Sequence, residues 1–286
     1  FDFISFFYPV KKNKKMSSCH LITGNSKYFC DVIESVSQVL KLGNISVRDD
    51  GLYVSGMDDL HVSLIKLEIE KDDFDKFQKF GSVNMGINFE EFVKLLKTSS
   101  GRGELSIIYN EANPKLDIIF ENDGLKRKYG LMLLDVDVDD LDVPSIDYHL
   151  ELELSTKIFT NMINSVIATG AEEITFNIKD KQLSTYSKGD ISETEFIFDK
   201  PEGYENEKKL KINLNNSEAK SSLNKRKIYE LMSCEGEFNV TVGVSILKNI
   251  TKANNLTEFV RINMIADNPL RLDYNLNSDG SFIYYY

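Results

Sequence analysis

The residues that could catalyse a reaction or bind a metal are few in this sequence, and their spacing suits neither task. Four aspartates cluster at Asp135, Asp137, Asp139 and Asp140, which gives a superficial likeness to a calcium-binding loop. An EF-hand loop that begins at Asp135 needs glycine at its sixth position and glutamate at its twelfth, where this chain has Asp140 and Ile146. We therefore interpret the cluster as an exposed acidic linker.

Histidines and sequence motifs give no stronger sign of an active site. The three histidines, His20, His61 and His149, include no pair at the spacing of metal ligands. The sequence also lacks a Walker A loop, G-x-S-x-G and H-E-x-x-H. We predict that the protein is not an enzyme and that it binds no metal or cofactor. A metal-dependent nuclease is the alternative, but the aspartates have no histidine or glutamate partner at a workable spacing.

Composition narrows the class of protein further. The chain has 286 residues, of which 42% are apolar, enough for one large or two medium domains. Its three cysteines, Cys19, Cys30 and Cys234, have no clustered spacing, which favours reduced thiols over a disulfide framework. No run approaches the roughly 18 apolar residues of a membrane span. The net charge of −11 argues against adhesion to nucleic acid over the whole surface but allows a local basic face.

The first fifteen residues differ from the rest of the chain. An apolar stretch at 1–10 precedes a lysine-rich stretch at 11–15, and Met16 follows. Asp2 and the lack of basic residues before the apolar stretch fit a signal peptide poorly. We predict a flexible basic extension at 1–15, with a nuclear-import patch as the alternative.

Four segments have apolar residues at helical spacing, namely 28–42, 88–98, 155–169 and 241–252. Together with Lys27, these segments carry a net charge of +3, which leaves −14 for the rest of the chain. If all four helices faced one direction, they would form a mildly basic, amide-rich surface. Such a surface can hold a phosphate backbone without reading bases. Four independent, solvent-facing helices are the plainer alternative.

The sequence also repeats itself. Residues 27–36 (KYFCDVIESV) return at 157–166 (KIFTNMINSV) with five of ten positions identical. Residues 86–97 and 241–252 match in character at a larger offset, so the second copy carries about 25 additional residues between its helices. Two copies in the same order, each more than 100 residues long, indicate a duplicated domain.

The predicted elements give an α+β fold class, because the helices are short and are outnumbered by mostly antiparallel strands. We place domain 1 at 16–132, a connecting loop at 133–149, and domain 2 at 150–286 with an insertion around 200–233. The strands expected in domain 1 lie at 44–52 (a hairpin), 61–70, 105–109, 116–120 and 126–133.

Four segments carry a resemblance to a known family. GLYVSGMDDLHVSLIKL at 51–67 resembles the signature hairpin of proliferating cell nuclear antigen (PCNA), the eukaryotic and viral type of DNA sliding clamp. LLDVDVDDLDVP at 133–144 is similar to that family's interdomain connecting loop. MGINFEEFVKLLK at 85–97 resembles its second helix, and 266–286 resembles its last hairpin. The resemblance covers residues 20–286.

This resemblance implies a DNA clamp fold, with two similar domains per chain, helices lining the interior of a ring and antiparallel sheets outside. It implies a homotrimer that encircles duplex DNA without sequence specificity. The implied partners are a clamp loader and, through short peptide motifs, DNA polymerase, flap nuclease and ligase. The implied role is DNA replication and repair in the nucleus or in a viral replication compartment, with no membrane association. A divergent paralogue in a heterotrimeric, checkpoint-type ring is the alternative.

Site residues are carried over from the resemblance position by position, with the helix charges in support. The residues expected to face DNA are Lys27, Lys41, Lys94, Lys97, Asn161, Asn164, Lys248 and Lys252. The residues expected to form a partner-peptide pocket are Met57, His61, Val62, Leu141, Val143, Pro144, Pro269, Tyr284 and Tyr285. Lys179 matches a lysine that the family modifies with ubiquitin, and an ordinary hairpin lysine is the alternative. The strand at 126–133 is expected to pair with 194–198 of the next subunit.

Asn161 and Asn164 stand where relatives often carry arginine. The resemblance therefore implies a looser contact with DNA than is usual in the family.

Overall fold

The computed structural model describes residues 16–98, 101, 103–136, 146–199, 229–234, 236–265, 270–276 and 280–286. The expected extension at 1–15 lies outside the described residues, as do 200–228 and three members of the aspartate cluster, Asp137, Asp139 and Asp140.

The first repeat is a run of nine strands and two helices. In chain order these are β1 (Ser18–Thr23), α1 (Ser26–Ser37), β2 (Leu42–Val47), β3 (Gly51–Met57), β4 (Leu64–Glu70), β5 (Lys76–Phe80), β6 (Val83–Asn88), α2 (Phe89–Lys97), β7 (Glu104–Asn110), β8 (Lys115–Asn122) and β9 (Leu125–Met132). A short 3₁₀ helix, Lys71–Asp73, joins β4 to β5.

The second repeat has the same order of elements. It consists of β10 (Leu150–Ser155), α3 (Thr156–Ala168), β11 (Glu173–Lys179), β12 (Gln182–Lys188), β13 (Glu193–Ile197), β14 (Tyr229–Cys234), β15 (Phe238–Gly243), α4 (Val244–Ile250), a 3₁₀ helix (Thr251–Asn255), β16 (Phe259–Met264), β17 (Arg271–Asn275) and β18 (Phe282–Tyr285). The prediction of two similar α+β domains is thereby confirmed.

The strands form three antiparallel sheets. One sheet has the order β5-β1-β7-β8-β9, and another has the order β13-β12-β11-β15. The third, here called the central sheet, has nine strands in the order β14-β10-β16-β17-β18-β4-β3-β2-β6. The central sheet contains strands of both repeats, because β18 of the second pairs with β4 of the first, with Tyr284 opposite Lys66.

The helices of both repeats pack on one side of the central sheet. Tyr274 and Tyr285 point to that side from neighbouring strands, with their ring centroids 5.8 Å apart. The Tyr285 hydroxyl bonds to a carbonyl oxygen of α1, on Ser35, and the Tyr274 hydroxyl bonds to Asn254 in the 3₁₀ helix of the second repeat. Neighbouring strands thus contact helical segments of different repeats, which places these segments on the same side.

Apolar side chains fill the space between helices and sheets. In the first repeat, Phe29 of α1 and Phe92 of α2 are buried edge to face, with ring centroids 6.4 Å apart. In the second repeat, the side chains of Phe159, Ile163 and Leu247 are fully buried. The polar faces of the helices remain exposed, as expected for amphipathic segments that cover one side of a sheet.

Asparagine side chains start both helices of the first repeat. The Asn25 side-chain oxygen accepts a hydrogen bond from the backbone N–H of Tyr28 at 3.2 Å, and Asn88 accepts one from Glu91 at 3.0 Å. Each bond satisfies an N–H group that the helix itself leaves without a partner. The first turn of α2 contains acidic residues and its last turn contains lysines, so its charges also favour the helix dipole.

The structure corrects two of the four predicted helices. The segment at 28–42 was too long, because α1 ends at Ser37 and Leu42 already belongs to β2. The segment at 241–252 began too early, because 241–243 pair with β11 as part of β15. The predictions at 88–98 and 155–169 are confirmed as α2 and α3.

Strand predictions need similar adjustments. The hairpin at 44–52 is confirmed as β2 and β3, and the strands at 105–109, 116–120 and 126–133 are confirmed as β7, β8 and β9. The strand at 61–70 begins only at Leu64. The predicted insertion at 200–233 is wrong at its end, because Tyr229–Cys234 forms β14 and pairs with β10.

Candidate nucleic-acid interface

Three lysines of the first repeat lie on the exposed faces of α1 and α2, and each is paired with a carboxylate. Lys27 forms a salt bridge with Asp31, one turn further along α1. The Nζ atom of Lys94 lies 2.6 Å from a carboxylate oxygen of Glu91, and that of Lys97 lies 2.8 Å from Glu34 of α1. Hydrogen bonds to the carboxylates of Asp31 and Glu91 raise the pKa of Lys27 and Lys94 respectively.

Lys41 has a different position from the one expected. Because α1 ends at Ser37, Lys41 lies in the connection to β2 rather than on a helix. Its Nζ atom is 3.4 Å from a carboxylate oxygen of Asp59, in the turn after β3. Its assignment to the helical face therefore does not fit the structure.

The second repeat presents lysines without acidic neighbours. Lys157 on α3, Lys248 on α4 and Lys252 in the 3₁₀ helix are all exposed. Over the part of the chain that the structure describes, none of the three has a carboxylate within 4 Å. Asn161 and Asn164 are exposed on α3 beside them.

A polar groove of about 860 Å³ opens between the start of α3 and the 3₁₀ helix of the second repeat. Its lining includes Lys157, Thr160, Asn161 and Asn255. The floor is fixed by Asn254, whose side-chain amide donates to Thr160 Oγ1 at 2.7 Å and whose oxygen accepts from the Tyr274 hydroxyl at 2.7 Å. The groove can accept hydrogen-bonding, negatively charged groups such as phosphates.

The far side of the central sheet carries part of the expected peptide pocket. In the turn between β3 and β4, the Asp58 carboxylate accepts hydrogen bonds from the backbone N–H groups of Val62 and Ser63 at 2.8 and 2.7 Å. This turn leaves Val62 59% exposed and Leu60 79% exposed. Leu60 was not predicted as a pocket residue, and its position between Met57 and Val62 was the available signal.

The two tyrosines assigned to the pocket face opposite sides of the sheet. Tyr284 lies on the outer side and stacks on Phe282, with ring centroids 4.1 Å apart. Tyr285 is only 1% exposed and packs toward the helices, so direct contact with a docked peptide does not fit its burial. Leu141, Val143, Pro144 and Pro269 lie outside the described residues.

Two strand edges lie at the ends of their sheets. Among the described residues, β9 pairs only with β8, and β13 pairs only with β12. β9 contains the basic run Lys126, Arg127 and Lys128, whereas β13 contains Glu193 and Glu195. The two edges therefore have opposite charge.

The described residues contain no cluster of three or more histidine, cysteine, aspartate or glutamate side chains that could hold a metal ion. Among them, no helix is long and apolar enough to cross a membrane. The three cysteines are free thiols; Cys19 and Cys30 are buried, and burial raises the pKa of Cys19 to about 11.

Comparison with protein families agrees with this geometry. Residues 23–141 match the family model for the N-terminal domain of proliferating cell nuclear antigen, and residues 218–286 match the model for its C-terminal domain. The chain belongs to the PCNA family of sliding clamps.

Individual relatives of this clamp match over nearly their whole length. The DNA polymerase sliding clamp of Methanococcus maripaludis (strain C5) is 25% identical over 256 residues, which cover 89% of this chain and 93% of the relative. Proliferating cell nuclear antigen 2 of Drosophila melanogaster is 24% identical over 258 residues, with coverage of 89% and 91%. The crystal structure of PCNA from Entamoeba histolytica superposes with a TM-score of 0.79 at 20% identity, covering 94% and 97% of the two chains. This likeness confirms the predicted clamp fold.

The clamp also contains a charged cluster that the sequence did not reveal. Arg271 donates two hydrogen bonds of 2.7 Å to Asp273, and its guanidinium lies 5.2 Å from the ring centroid of Tyr148 and 5.1 Å from that of Tyr284. Tyr148 follows the connecting loop, so Arg271 ties the end of that loop to β17 and β18. Arg271 and Asp273 are two residues apart on one strand, which was the only sequence signal.

Lys179 ends β11 at a tight turn of the clamp. Asp180 and Lys181 form this turn with positive φ angles of 50° and 63°. The Lys179 side chain is exposed, and its Nζ atom lies 4.0 Å from Glu237. An exposed lysine at a turn is accessible to a modifying enzyme.

Proposed function

We propose that this sliding clamp closes into a homotrimeric ring around duplex DNA and tethers DNA polymerase and other replication and repair enzymes to it. The observation that carries the proposal is the joint between β18 and β4 inside the chain. The repeat contains a second set of the same two edges, and these are the unpaired edges of β9 and β13.

The correspondence follows from the order of elements. β9 is the last strand of the first repeat as β18 is of the second, and β13 occupies the place in the second repeat that β4 has in the first. Pairing β9 of one copy with β13 of the next repeats the internal joint. Exposed strand edges tend to be paired, and head-to-tail contacts of this kind close into a ring when the rotation allows it.

The internal joint also gives the register between subunits. Tyr284 lies opposite Lys66, and by the strand pairings of the two repeats these positions correspond to Lys128 and Glu195. Lys128 of one subunit is therefore expected opposite Glu195 of its neighbour. Opposite charges at directly facing positions stabilise antiparallel strands by roughly 0.2–1 kcal/mol per pair.

The mass of the purified protein tests the ring. We expect light scattering to give about three times the 32.7 kDa mass of the chain. Glu195→Lys should shift the protein toward the monomer, because it places lysine opposite Lys128. Adding Lys128→Glu should restore part of the trimer, only part because Lys128 also pairs with Asp117 at 2.9 Å. Glu172→Lys, an exposed charge change away from both edges, is the matched control.

Two outcomes would contradict the homotrimer. A wild-type chain that stays monomeric by itself would instead favour a heterotrimeric ring. Indifference of the trimer to Glu195→Lys would exclude the β9–β13 joint.

Inside the ring, the exposed faces of the helices would meet the phosphate backbone without reading bases. On the outside, Met57, His61, Val62 and Tyr284 would bind short peptides of polymerase, flap nuclease and ligase that carry a glutamine and apolar or aromatic anchors. Buried aromatic anchors usually supply most of the energy of such contacts. A clamp loader would place the ring on DNA, and Lys179 would accept ubiquitin. The site of action would be the nucleus or a viral replication compartment.

The proposed role needs no catalysis by the clamp itself. A nuclease assay with Mg²⁺ or Mn²⁺ should show no cleavage of DNA. Cleavage that disappears on Asp135→Asn would revive the nuclease alternative.

A further inference from the structure

Equivalent helices of the two repeats carry opposite net charge. α1 and α2 contain three lysines and four acidic residues, a net charge of −1. α3, α4 and the 3₁₀ helix Thr251–Asn255 contain three lysines and no acidic residue, a net charge of +3. The two halves of the helical face therefore differ by four charges in each chain.

The repeat shows how the difference arises. Lys157 corresponds to Lys27, and the position of its partner Asp31 is taken by Asn161. Lys252 likewise corresponds to Lys97, and the position of Glu34 is taken by Asn164. The lysines are retained while the carboxylates that pair with them have become amides. An amide leaves the lysine charge uncompensated and adds hydrogen-bond donors.

Paired and unpaired lysines differ as ligands for phosphate. A lysine that already pairs with a carboxylate must give up or share that partner before it can bind a phosphate, and the carboxylate itself repels the phosphate. An unpaired, exposed lysine has neither disadvantage, and it gains counterion release when a phosphate binds.

We infer that the phosphate backbone of the encircled duplex is held by the second domain of each subunit, through Lys157, Lys248 and Lys252 together with the amides of Asn161 and Asn164. The first domain contributes little to binding. This inference rests on the proposed ring, and it divides the channel into three phosphate-binding sectors separated by three nearly neutral ones.

The groove at the start of α3 fits this role. Lys157 and Asn161 lie along it, with Asn255 on the opposite helical segment. Glu258 is the one acidic residue of its lining, so the positive and amide groups outnumber it. The first repeat offers no comparable groove among those found in the described residues, since the cavity at the start of α1 measures only about 100 Å³ and is lined partly by Phe29 and Phe74.

The test compares two sets of substitutions in the complete ring. The first set, Lys157→Gln with Lys252→Gln, removes two unpaired lysines of the second domain. The second set, Lys27→Gln, Asp31→Asn, Lys97→Gln and Glu34→Gln, removes two lysines of the first domain together with their partners. A third set, Lys179→Gln with Lys188→Gln, matches the charge loss of the first set on the outer side of the sheets.

Binding of a fluorescent linear duplex is measured by anisotropy between about 50 and 200 mM salt, after light scattering has shown each variant to be trimeric. We expect the first set to lower affinity at least tenfold at the lowest salt. It should also reduce the slope of log K against log salt concentration by about 1 or more, because each lost phosphate contact removes roughly 0.9. The second and third sets should change affinity less than about twofold and leave the slope unchanged.

Equal losses of slope for the first and second sets would overturn the inference while leaving the clamp function intact. A wild-type ring that does not bind the duplex at all would instead contradict the proposed function, and the inference with it. As an independent readout, DNA should protect Lys157, Lys248 and Lys252 from an amine-reactive reagent and leave Lys27, Lys94 and Lys97 as reactive as in the free ring. The reverse pattern of protection would also overturn the inference.

Discussion

The hydroxyl group of Tyr285 donates a hydrogen bond to the backbone carbonyl oxygen of Ser35 at 3.3 Å. This bond connects the last strand of the second domain to the first helix of the first domain. Tyr285 is fully buried at this position, and its ring packs edge to face on that of Tyr274. The contact between the two domains thus depends on one side chain that also occupies the core.

We expect Tyr285→Phe and Tyr285→Ala to differ strongly in stability. Phenylalanine keeps the ring and loses one neutral hydrogen bond, so the free energy of unfolding should fall by about 1 kcal/mol. Alanine leaves a cavity under the joint and should cost about 3–5 kcal/mol. Chemical denaturation at one fixed protein concentration measures both, since assembly would otherwise contribute to the apparent stability.

Tyr186→Phe is the matched control for these variants, because Tyr186 is exposed and bonds only to Glu193. Its effect should stay within about 0.5 kcal/mol. An equally small effect of Tyr285→Ala would show that the joint does not depend on this contact.

Arg271→Leu should destabilise the clamp by leaving the carboxylate of Asp273 without its partner. Asp273 is only 5% exposed, and loss of one member of a buried pair typically costs 3–5 kcal/mol. Arg271 keeps 28% of its side chain exposed, so we expect the low end, about 3 kcal/mol. The double variant Arg271→Leu/Asp273→Leu should recover most of the loss, as the leucines can pack against Tyr148 and Tyr284.

The pH dependence of Arg271→Leu distinguishes this explanation from simple loss of packing. Burial raises the pKa of Asp273, and Arg271 opposes that effect in the wild type. In the variant the folded state therefore binds the proton more tightly than the unfolded state does. The free energy of unfolding should increase as the pH falls from 7 toward the pKa of Asp273, and decrease again as the pH rises through it. A variant whose stability relative to the double variant does not change with pH would contradict the buried-charge explanation.

Val62→Ala should weaken binding of partner peptides without affecting the fold. Val62 is 59% exposed in a turn that Asp58 holds through backbone hydrogen bonds, so truncation leaves the turn intact. Each apolar carbon removed from a contact costs about 0.8 kcal/mol, which for two methyl groups amounts to roughly tenfold in affinity. The measurement is a titration with a peptide that carries a glutamine and aromatic anchors.

Ile191→Ala serves as the control for the peptide titration, because Ile191 is 98% exposed and lies in the turn after β12. It should bind the peptide as tightly as wild type. If Val62→Ala did the same, the pocket would have to lie elsewhere on the surface.

The sequence predicted those parts of the fold that depend on local patterns. The hairpin at 44–52 and the helices α2 and α3 were found because apolar periodicity, capping asparagines and turn residues agree within each segment. The end of α1 was missed for a physical reason. Val39 and Leu40 continue the helical spacing although the chain has already left the helix, and both backbone N–H groups bond to the carbonyl of Val36.

Features of the site that depend on packing were harder to predict. Whether Tyr284 or Tyr285 faces outward depends on strand register, and a shift of one residue exchanges the two sides. The salt bridge between Lys97 and Glu34 joins two helices that are about sixty residues apart in the sequence, so only their packing brings the charges together. Counting helix charges found the lysines but not which of them are paired.

The joint between β18 and β4 has a further consequence for the lifetime of the ring. Its two edges belong to one chain and are held at a high effective concentration, which dilution cannot reduce. A joint between β9 and β13 would belong to two chains and would separate as the protein is diluted. Of the six joints in a closed trimer, three are therefore permanent and three are reversible. The ring would gain and lose whole subunits, and any machine that opens it for DNA would act at a β9–β13 joint.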